Sequence, residues 1–253
     1  MMFDKETLLY VEKKIKLENR GFLEKAYLQE LILSEFVKTN IFFVFKGGTA
    51  LYKLYKLSRF SEDLDFCVKD LDLASNTIKK IIEKNKWSFT AKKIYDTVLF
   101  RLSFKGPLVR DNTLRIDLSL SKSFSYSPKT IDPIFIDFKP FMINVMNLDE
   151  ILVEKTSAVT NREKARDLYD IYFLSKLVDF SADLWITKFG DTFIDVDKFE
   201  HKREFIKADW KKLNTYVLNE LPDFDLVYPL VVEKLNAFNN MLKEKKKEKK
   251  NKN

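Results

Sequence analysis

Two aspartates separated by one residue are the first feature of this sequence that could take part in catalysis or metal binding. Asp63 and Asp65 alternate with Leu64, Phe66 and Val68. This alternation predicts a β-strand whose apolar side chains face the core and whose two carboxylates share the opposite face. Because like charges this close repel, the pair favours a bound Mg²⁺ or a similar divalent cation.

Asp117 repeats the same design further along the chain. Residues 114–120 alternate as a second strand, with Ile116 and Leu118 directed to the core and Arg115 and Asp117 directed away from it. Carboxylates that bridge two cations stabilise the attacking and leaving oxygens in phosphoryl transfer. All three aspartates are therefore predicted to be metal ligands and catalytic residues.

The adjacent glycines Gly47 and Gly48 are informative because the chain has only 5 glycines. An apolar run at 41–45 precedes them and helical periodicity at 50–57 follows, which places them at a strand-to-helix turn. Backbone amides at such a turn, together with the helix N-terminus, can bind a triphosphate. Thr49 can donate its hydroxyl to the same phosphates or cap the helix.

Arg59 and Ser61 lie just before the carboxylate pair and are predicted to reach the same phosphates. Each feature has an ordinary explanation by itself: a D-x-D segment on a solvated face, a simple glycine turn, or a surface aspartate. Their order on compatible elements, with one predicted helix between Gly48 and Asp63, favours a single functional site.

The composition narrows the possible chemistry. With one cysteine, Cys67, and one histidine, His201, the chain of 253 residues has neither a disulfide framework nor a histidine-rich metal centre. No apolar run approaches the roughly 20 residues that span a bilayer. Charges near the N-terminus also exclude a signal peptide. We therefore expect a cytoplasmic protein that uses carboxylates, lysines, hydroxyls and hard cations.

The hydrophobic pattern changes character near residue 147. Residues 1–147 predict two helices followed by mixed strands and helices, with a polar loop at 121–133, whereas residues 148–242 are helical almost throughout. Residues 243–253 are rich in lysine and predict a disordered tail. The net charge of +7 resides largely in this tail, and the same charge would attract RNA phosphates.

Two segments resemble a known family. Residues 45–66 (FKGGTALYKLYKLSRFSEDLDF) resemble the nucleotidyltransferase superfamily signature, a glycine pair, a helix and then D-x-D. More narrowly, the GGTAL segment and the SEDLDF segment resemble the AbiEii/AbiGii toxin family. Residues 152–170 (LVEKTSAVTNREKARDLYD) are similar to that family's helical segment, a lysine followed by an R-D-x-x-D block.

The resemblance implies an α+β fold: a Pol β-like nucleotidyltransferase domain with a mixed sheet, followed by a helical C-terminal domain. It implies a toxin with a cognate antitoxin, which transfers a nucleotide from an NTP to an acceptor such as the tRNA 3′ end with Mg²⁺ or Mn²⁺. The nucleotide-binding residues that it implies are Gly47, Gly48, Ser61, Lys155 and Asp170.

Several alternatives stay open. Lys155 lies on the apolar stripe of its predicted helix, so it is either a snorkelling lysine or a catalytic cation directed at the phosphates. Arg166 and Asp170 have the spacing of an ordinary helix ion pair, and Asp167 can be a solvated residue. Transfer to a protein or to a small molecule is an alternative activity, and a non-catalytic nucleotide-binding module is an alternative from another class.

Overall fold

A computed structural model of the chain describes residues 4–15, 17–121 and 124–252. The chain separates into two compact units, Met1–Met146 and Asn147–Asn253. The first unit combines helices and strands, and the second is helical. Each unit has its own buried apolar core.

The first unit begins with the two predicted helices, and all of its elements precede residue 147. Its helices are α1 Lys5–Lys14, α2 Arg20–Val37, α3 Gly47–Tyr55 and α4 Leu71–Lys84. Its strands are β1 Phe43–Lys46, β2 Leu64–Val68, β3 Ser88–Ile94, β4 Thr97–Phe104, β5 Asn112–Leu120, β6 Tyr126–Ile131 and β7 Phe141–Met146.

Within the described residues, the seven strands form one mixed sheet in the order β3-β4-β5-β2-β1-β7-β6. The central strand β2 pairs in parallel with β5 and antiparallel with β1. Strands β3, β4 and β5 form an antiparallel meander, and β6 and β7 pair antiparallel on the other side. The predicted α+β fold class with a mixed sheet is therefore confirmed.

Strand β6 corrects the prediction of a loop at 121–133. It pairs with β7 at the edge of the sheet, where one side of the strand needs no partner. An edge position tolerates both the polar composition and Pro128, which lacks an N–H group. The apolar residues that follow form a turn, with Phe135 buried and Ile136 exposed.

Helix α2 is buried and carries polar side chains that bind neighbouring loops. Glu24 accepts hydrogen bonds from the backbone amides of Leu108 and Val109, at 2.7 and 2.9 Å. Glu30 pairs with Lys53 of α3 at 3.1 Å and also accepts from the amides of the turn at 134–135. Buried polar groups are tolerated when they are hydrogen-bonded, so these contacts fix the loops relative to α2.

The second unit consists of helices joined by short connections. They are α5 Leu148–Asn161, α6 Ala165–Leu174, α7 Ala182–Phe189, α8 Val196–His201, α9 Arg203–Trp210 and α10 Phe224–Lys252, with a 3₁₀ helix at Lys211–Thr215. Among the described residues, no helix combines the length and the apolar character that a membrane crossing requires.

The sequence predicted a disordered tail at residues 243–253, whereas helix α10 continues to Lys252. Lysine and glutamate are good helix formers, so the lysine-rich stretch can extend an existing helix. Lys245 pairs with Asp183 at 2.9 Å, and the ammonium group of Lys246 lies 5.1 Å from the centre of the Phe193 ring. These contacts hold the first part of the stretch against its own unit.

Replacing Glu24 tests the role of the buried anchors on α2. Glu24→Ala leaves the part-buried amides of Leu108 and Val109 without this acceptor, so we expect the free energy of unfolding to fall by about 2 kcal/mol. Urea denaturation measures this change. The exposed Glu83 of α4 provides the control, and an equal loss in Glu83→Ala would refute the anchoring role.

Candidate functional site

The turn between β1 and α3 is shaped by the carboxylate of Asp65. Gly47 has a φ of +77°, in the left-handed region that favours glycine. A Cβ atom on Gly47 would overlap Oδ2 of Asp65 and come within 2.9 Å of its Cγ. The carboxylate therefore lies directly against the backbone at the start of α3, and this approach requires a glycine.

Gly48 is packed as closely by the segment that leads into β2. A Cβ atom there would lie 2.7 Å from Oγ of Ser61 and 2.8 Å from Nη2 of Arg59. Both of these side chains are almost fully buried. The structure thus brings together Gly47, Gly48, Arg59 and Ser61, four of the five residues predicted to bind phosphate at this turn.

Thr49 is also at this turn, but its contacts differ from the predicted ones. Its side chain is fully buried, and its hydroxyl donates to the backbone carbonyl of Asp63 and lies 3.3 Å from that of Ser61. A hydroxyl has one hydrogen to donate. Thr49 therefore ties α3 to the segment bearing Asp63, instead of capping the helix or presenting its hydroxyl to a phosphate.

Gln29 of α2 supports the same segment, and the sequence analysis did not identify it. Its amide nitrogen donates to the carbonyl of Ser61 at 2.8 Å and to that of Glu62 at 3.2 Å. Lys25, one turn earlier on α2, forms an ion pair with Glu62. A polar residue within a buried helix was the available signal, but its acceptor lies 32 residues away and follows only from the fold.

The three predicted aspartates lie together on the neighbouring strands β2 and β5. The parallel pairing places Asp65 opposite Asp117, and Asp63 precedes β2 by one residue. The side chains of Asp63 and Asp117 are 20% and 15% exposed, so solvent still reaches them. The structure therefore joins the carboxylates to the glycine turn, through the contact between Asp65 and Gly47.

Arg115 lies among these carboxylates and was not predicted as a site residue. Its Nη2 atom is 3.3 Å from Oδ2 of Asp63 and 3.0 Å from Oδ2 of Asp117. Arg115 and Asp117 are two residues apart on β5, so the alternation of this strand already placed them on one face. That alternation was the signal by which Arg115 could have been found.

The charges of the cluster alter the pKa of its members. Burial by itself would lower the pKa of the Arg115 guanidinium, but the three carboxylates outweigh burial and raise it. Burial and the negative charge of Asp65 raise the pKa of Asp117 to about 6, although Arg115 opposes the shift. Negative charge therefore remains in excess around Asp117 even with Arg115 in place.

The residues of this cluster fit a divalent cation. Within the described part of the chain, no group of His, Cys, Asp and Glu side chains forms an assembled metal site. Arg115 lies between two of the carboxylates, and Oδ1 of Asp117 is buried without a hydrogen-bond partner. An additional cation would satisfy that oxygen, and a set of carboxylate oxygens is the donor chemistry that Mg²⁺ and Mn²⁺ prefer.

The other predicted cation, Lys155, belongs to a buried ionic cluster of the second unit. Its Nζ atom lies 3.2 Å from Oδ1 of Asp167 and 2.7 Å from Oδ2 of Asp170, and both aspartates are fully buried. Lys155 itself is 9% exposed. It is therefore not a snorkelling lysine, because its charged end is held by two carboxylates of α6.

Asp167 is not the solvated residue that the sequence allowed. Arg162 donates to both of its oxygens, at 2.6 and 2.8 Å. Burial would raise the pKa of Asp167, but the charges of Lys155 and Arg162 outweigh burial and lower it to about 2. Asp167 is thus ionised at neutral pH and shared between two cations.

The fold of the chain is that of solved nucleotidyltransferases. The structure is similar to that of JHP933 from Helicobacter pylori, with a TM-score of 0.56 and 21% sequence identity over 91% of this chain and 95% of that chain. The nucleotidyltransferase toxin MenT4 from Mycobacterium tuberculosis is also similar, with a TM-score of 0.49 and 16% identity over 88% of this chain and 76% of that chain. None of the curated proteins matches the chain.

The class of the protein is that of the nucleotidyltransferases, because the family model that matches the chain describes one. Residues 31–246 match the family model described as the nucleotidyl transferase AbiEii toxin of type IV toxin–antitoxin systems. The match covers most of the chain, including both units. The protein therefore belongs to the AbiEii nucleotidyl transferase toxin family.

The raised pKa of Asp117 predicts a pH dependence of stability in the metal-free protein. The folded-state pKa is about 6 and the ordinary value 3.8, so between these values the folded protein keeps a proton that the unfolded chain releases. We expect stability to fall as the pH rises from 4 to 6, and Asp117→Asn to flatten this fall in thermal melts. The exposed Asp111 provides the control substitution, Asp111→Asn, and equal slopes in Asp117→Asn and wild type would contradict the prediction.

The lowered pKa of Asp167 predicts the opposite pH dependence. Its folded-state pKa is about 2, so its ion pairs contribute stability that is complete above pH 4 and is lost as the pH falls toward 2. We expect Asp167→Asn to lower the free energy of unfolding by about 3 kcal/mol at pH 7. Chemical denaturation at pH 7 and pH 3 measures both effects, with the exposed Asp179→Asn as the control. A penalty that does not shrink at pH 3 would count against the ionic origin.

Proposed function

We propose that this protein transfers a nucleoside monophosphate from an NTP to an acceptor hydroxyl, with the tRNA 3′ end as the acceptor and Mg²⁺ as the cofactor. One observation carries the proposal: Asp63, Asp65 and Asp117 converge beside the Gly47-Gly48 turn. An acidic cluster next to the backbone amides at a helix N-terminus provides one position for metal and another for phosphate.

The triphosphate is bound at the glycine turn. Gly47 and Gly48 allow its oxygens to approach the backbone amides at the start of α3, where the helix dipole favours negative charge. Ser61 and Arg59 pack against Gly48 and provide a hydroxyl and a guanidinium for the same oxygens. Thr49 and Gln29 hold the segment that presents Ser61 and therefore act as positioning residues.

The acceptor hydroxyl attacks the α-phosphorus in line with the bond to the leaving pyrophosphate. A new oxygen–phosphorus bond forms as the bond between the α-phosphorus and the bridging oxygen breaks, and the hydroxyl releases its proton to water. Asp63, Asp65 and Asp117 would hold the divalent cations, whose charge would neutralise the triphosphate and acidify the hydroxyl. Arg115 keeps the carboxylates on one face and offsets part of their charge.

Lys155 and Asp170 enter the proposal from the family resemblance, as a phosphate-binding lysine and its partner. Their contact at 2.7 Å supports a shared role, because a carboxylate on the ammonium group fixes its position. Asp167 and Arg162 extend this support, since Asp167 contacts both cations. A cognate antitoxin is the proposed protein partner, in agreement with the toxin–antitoxin family.

Labelling tests the activity directly. The protein is incubated with each α-³²P-labelled NTP in turn, Mg²⁺ and total tRNA, and the labelled products are separated. We expect the wild type to label RNA, and we expect Asp63→Asn and Asp65→Asn to lose about 100-fold or more of that activity because they remove metal ligands. Asp72→Asn changes an exposed aspartate of α4 and provides the control, with activity like that of the wild type.

Each outcome of this experiment has a distinct meaning. Equal labelling by the wild type and Asp63→Asn would refute the proposed site. Label in protein or in a small molecule, but not in RNA, would show that the acceptor is not RNA. NTP binding without any transfer would show that the protein is a non-catalytic nucleotide-binding module. Expression in cells completes the test, since growth arrest relieved by Asp65→Asn is the result expected of a nucleotidyltransferase toxin.

A further inference from the structure

The face of the sheet that carries the catalytic carboxylates continues across three strands to the edge of the sheet. Strand pairing places Asp117 opposite Leu99 of β4, and Leu99 opposite Lys92 of β3. The neighbouring row runs from Arg115 to Arg101 and then to Thr90. We call this surface the β3–β5 face; it consists of Ser88, Thr90, Lys92, Leu99, Arg101, Ser103 and Thr113.

The β3–β5 face is open, whereas the opposite face of β4 and β5 is covered by α4. Residues 98, 100, 102 and 104 of β4 point to the other side, where they are buried and where α4 packs on β4 and β5. Arg101, Ser103, Thr90 and Lys92 on the β3–β5 face are exposed. Within the described residues of the first unit, no helix packs on this polar side of the meander.

Two cations on this face have no counter-charge. Arg101 and Lys92 form no ion pair with any described residue, and Arg101 lies directly opposite Arg115. Like charges placed opposite each other on adjacent strands are destabilising. Arg115 is compensated by Asp63 and Asp117, but no such group compensates Arg101. An anionic ligand on the face would remove this cost.

The three strands themselves contain almost no acidic residues that could provide this negative charge. Strands β3, β4 and β5 contain a single acidic residue, Asp117, which belongs to the catalytic cluster. The remaining polar residues of the face are serines and threonines, whose hydroxyls can donate to phosphate oxygens. The surface next to the carboxylates is therefore cationic and rich in hydrogen-bond donors.

The dimensions suit a polynucleotide end. Adjacent strands are spaced about 4.8 Å apart, so Lys92 lies about 10 Å across the sheet from Asp117. Tyr95, in the turn between β3 and β4, is 93% exposed and offers a ring on which a base can stack. Cations with hydroxyl donors and an exposed aromatic ring are the combination that binds single-stranded nucleic acid.

We propose that the β3–β5 face binds the sugar–phosphate backbone of the acceptor RNA and directs its terminal hydroxyl to Asp117. The inference rests on the proposed function, since it names the acceptor surface of the same site. Arg101 and Lys92 contact phosphates of the terminal segment, and Arg115 connects this surface to the carboxylates. An acidic peptide is the competing occupant, and the experiment distinguishes it.

A double variant tests this surface with RNA binding as the readout. Arg101→Gln with Lys92→Gln removes two cations, so we expect tRNA affinity by fluorescence anisotropy to fall about 10-fold. The slope of log affinity against log salt should become shallower by about 1.4. Arg110→Gln with Lys80→Gln removes the same charge from an exposed loop and from α4, and should leave both values near those of the wild type.

Different outcomes test the RNA-binding surface and the proposed transferase activity. A fluorescent NTP analogue and a thermal melt report whether the double variant keeps its nucleotide site and its fold. If the wild type labels RNA but both double variants bind tRNA equally, the inference is wrong and the proposed function stands. If the Arg101 and Lys92 variant weakens transfer to an acidic protein acceptor and not RNA binding, a peptide occupies the face. If the wild type labels no acceptor, the proposed function itself fails.

Discussion

The concentration of negative charge on strands β2 and β5 is the constraint around which the first unit is arranged. Parallel pairing places Asp65 beside Asp117, with Asp63 close by, and such charges repel at this distance. Arg115 offsets part of the repulsion, yet burial and the charge of Asp65 still raise the pKa of Asp117 to about 6. Bound cations would relieve the same repulsion that lowers the stability of the protein without them, so the cost in stability and the proposed capacity for catalysis have one origin.

The glycine turn and helix α2 hold the carboxylates in a defined geometry. Asp65 lies against Gly47, where no side chain fits, and this contact couples strand β2 to the start of α3. Gln29 and Thr49 hold the backbone of the segment that enters β2. These polar groups are buried and hydrogen-bonded, so they position the site without being exposed to solvent.

The second unit contains a buried positive charge, which requires negatively charged partners. Lys155 is buried, and an isolated buried ammonium would lose its proton or destabilise the fold. Asp170 and Asp167 surround it, and Arg162 balances the additional carboxylate. The cluster therefore gives each buried charged group a partner, and Arg162 joins it from a partly exposed position. Such a network fixes the position of Lys155 more firmly than a solvent-exposed helix pair would.

Local sequence patterns predicted many features of this protein. The alternation of polar and apolar residues placed Asp63, Asp65 and Asp117 on polar faces of strands. The small number of glycines made the Gly47-Gly48 pair informative, and the helical periodicity predicted the change to helices near residue 147. Tertiary structure decided what depends on distant partners: Arg115 among the carboxylates, Gln29 against the segment 32 residues away, and the burial of Asp167. It also paired a polar segment as edge strand β6 and extended α10 through the lysines. Periodicity reports which side of an element faces the core, but the identity of a contact depends on chain segments that only folding brings together.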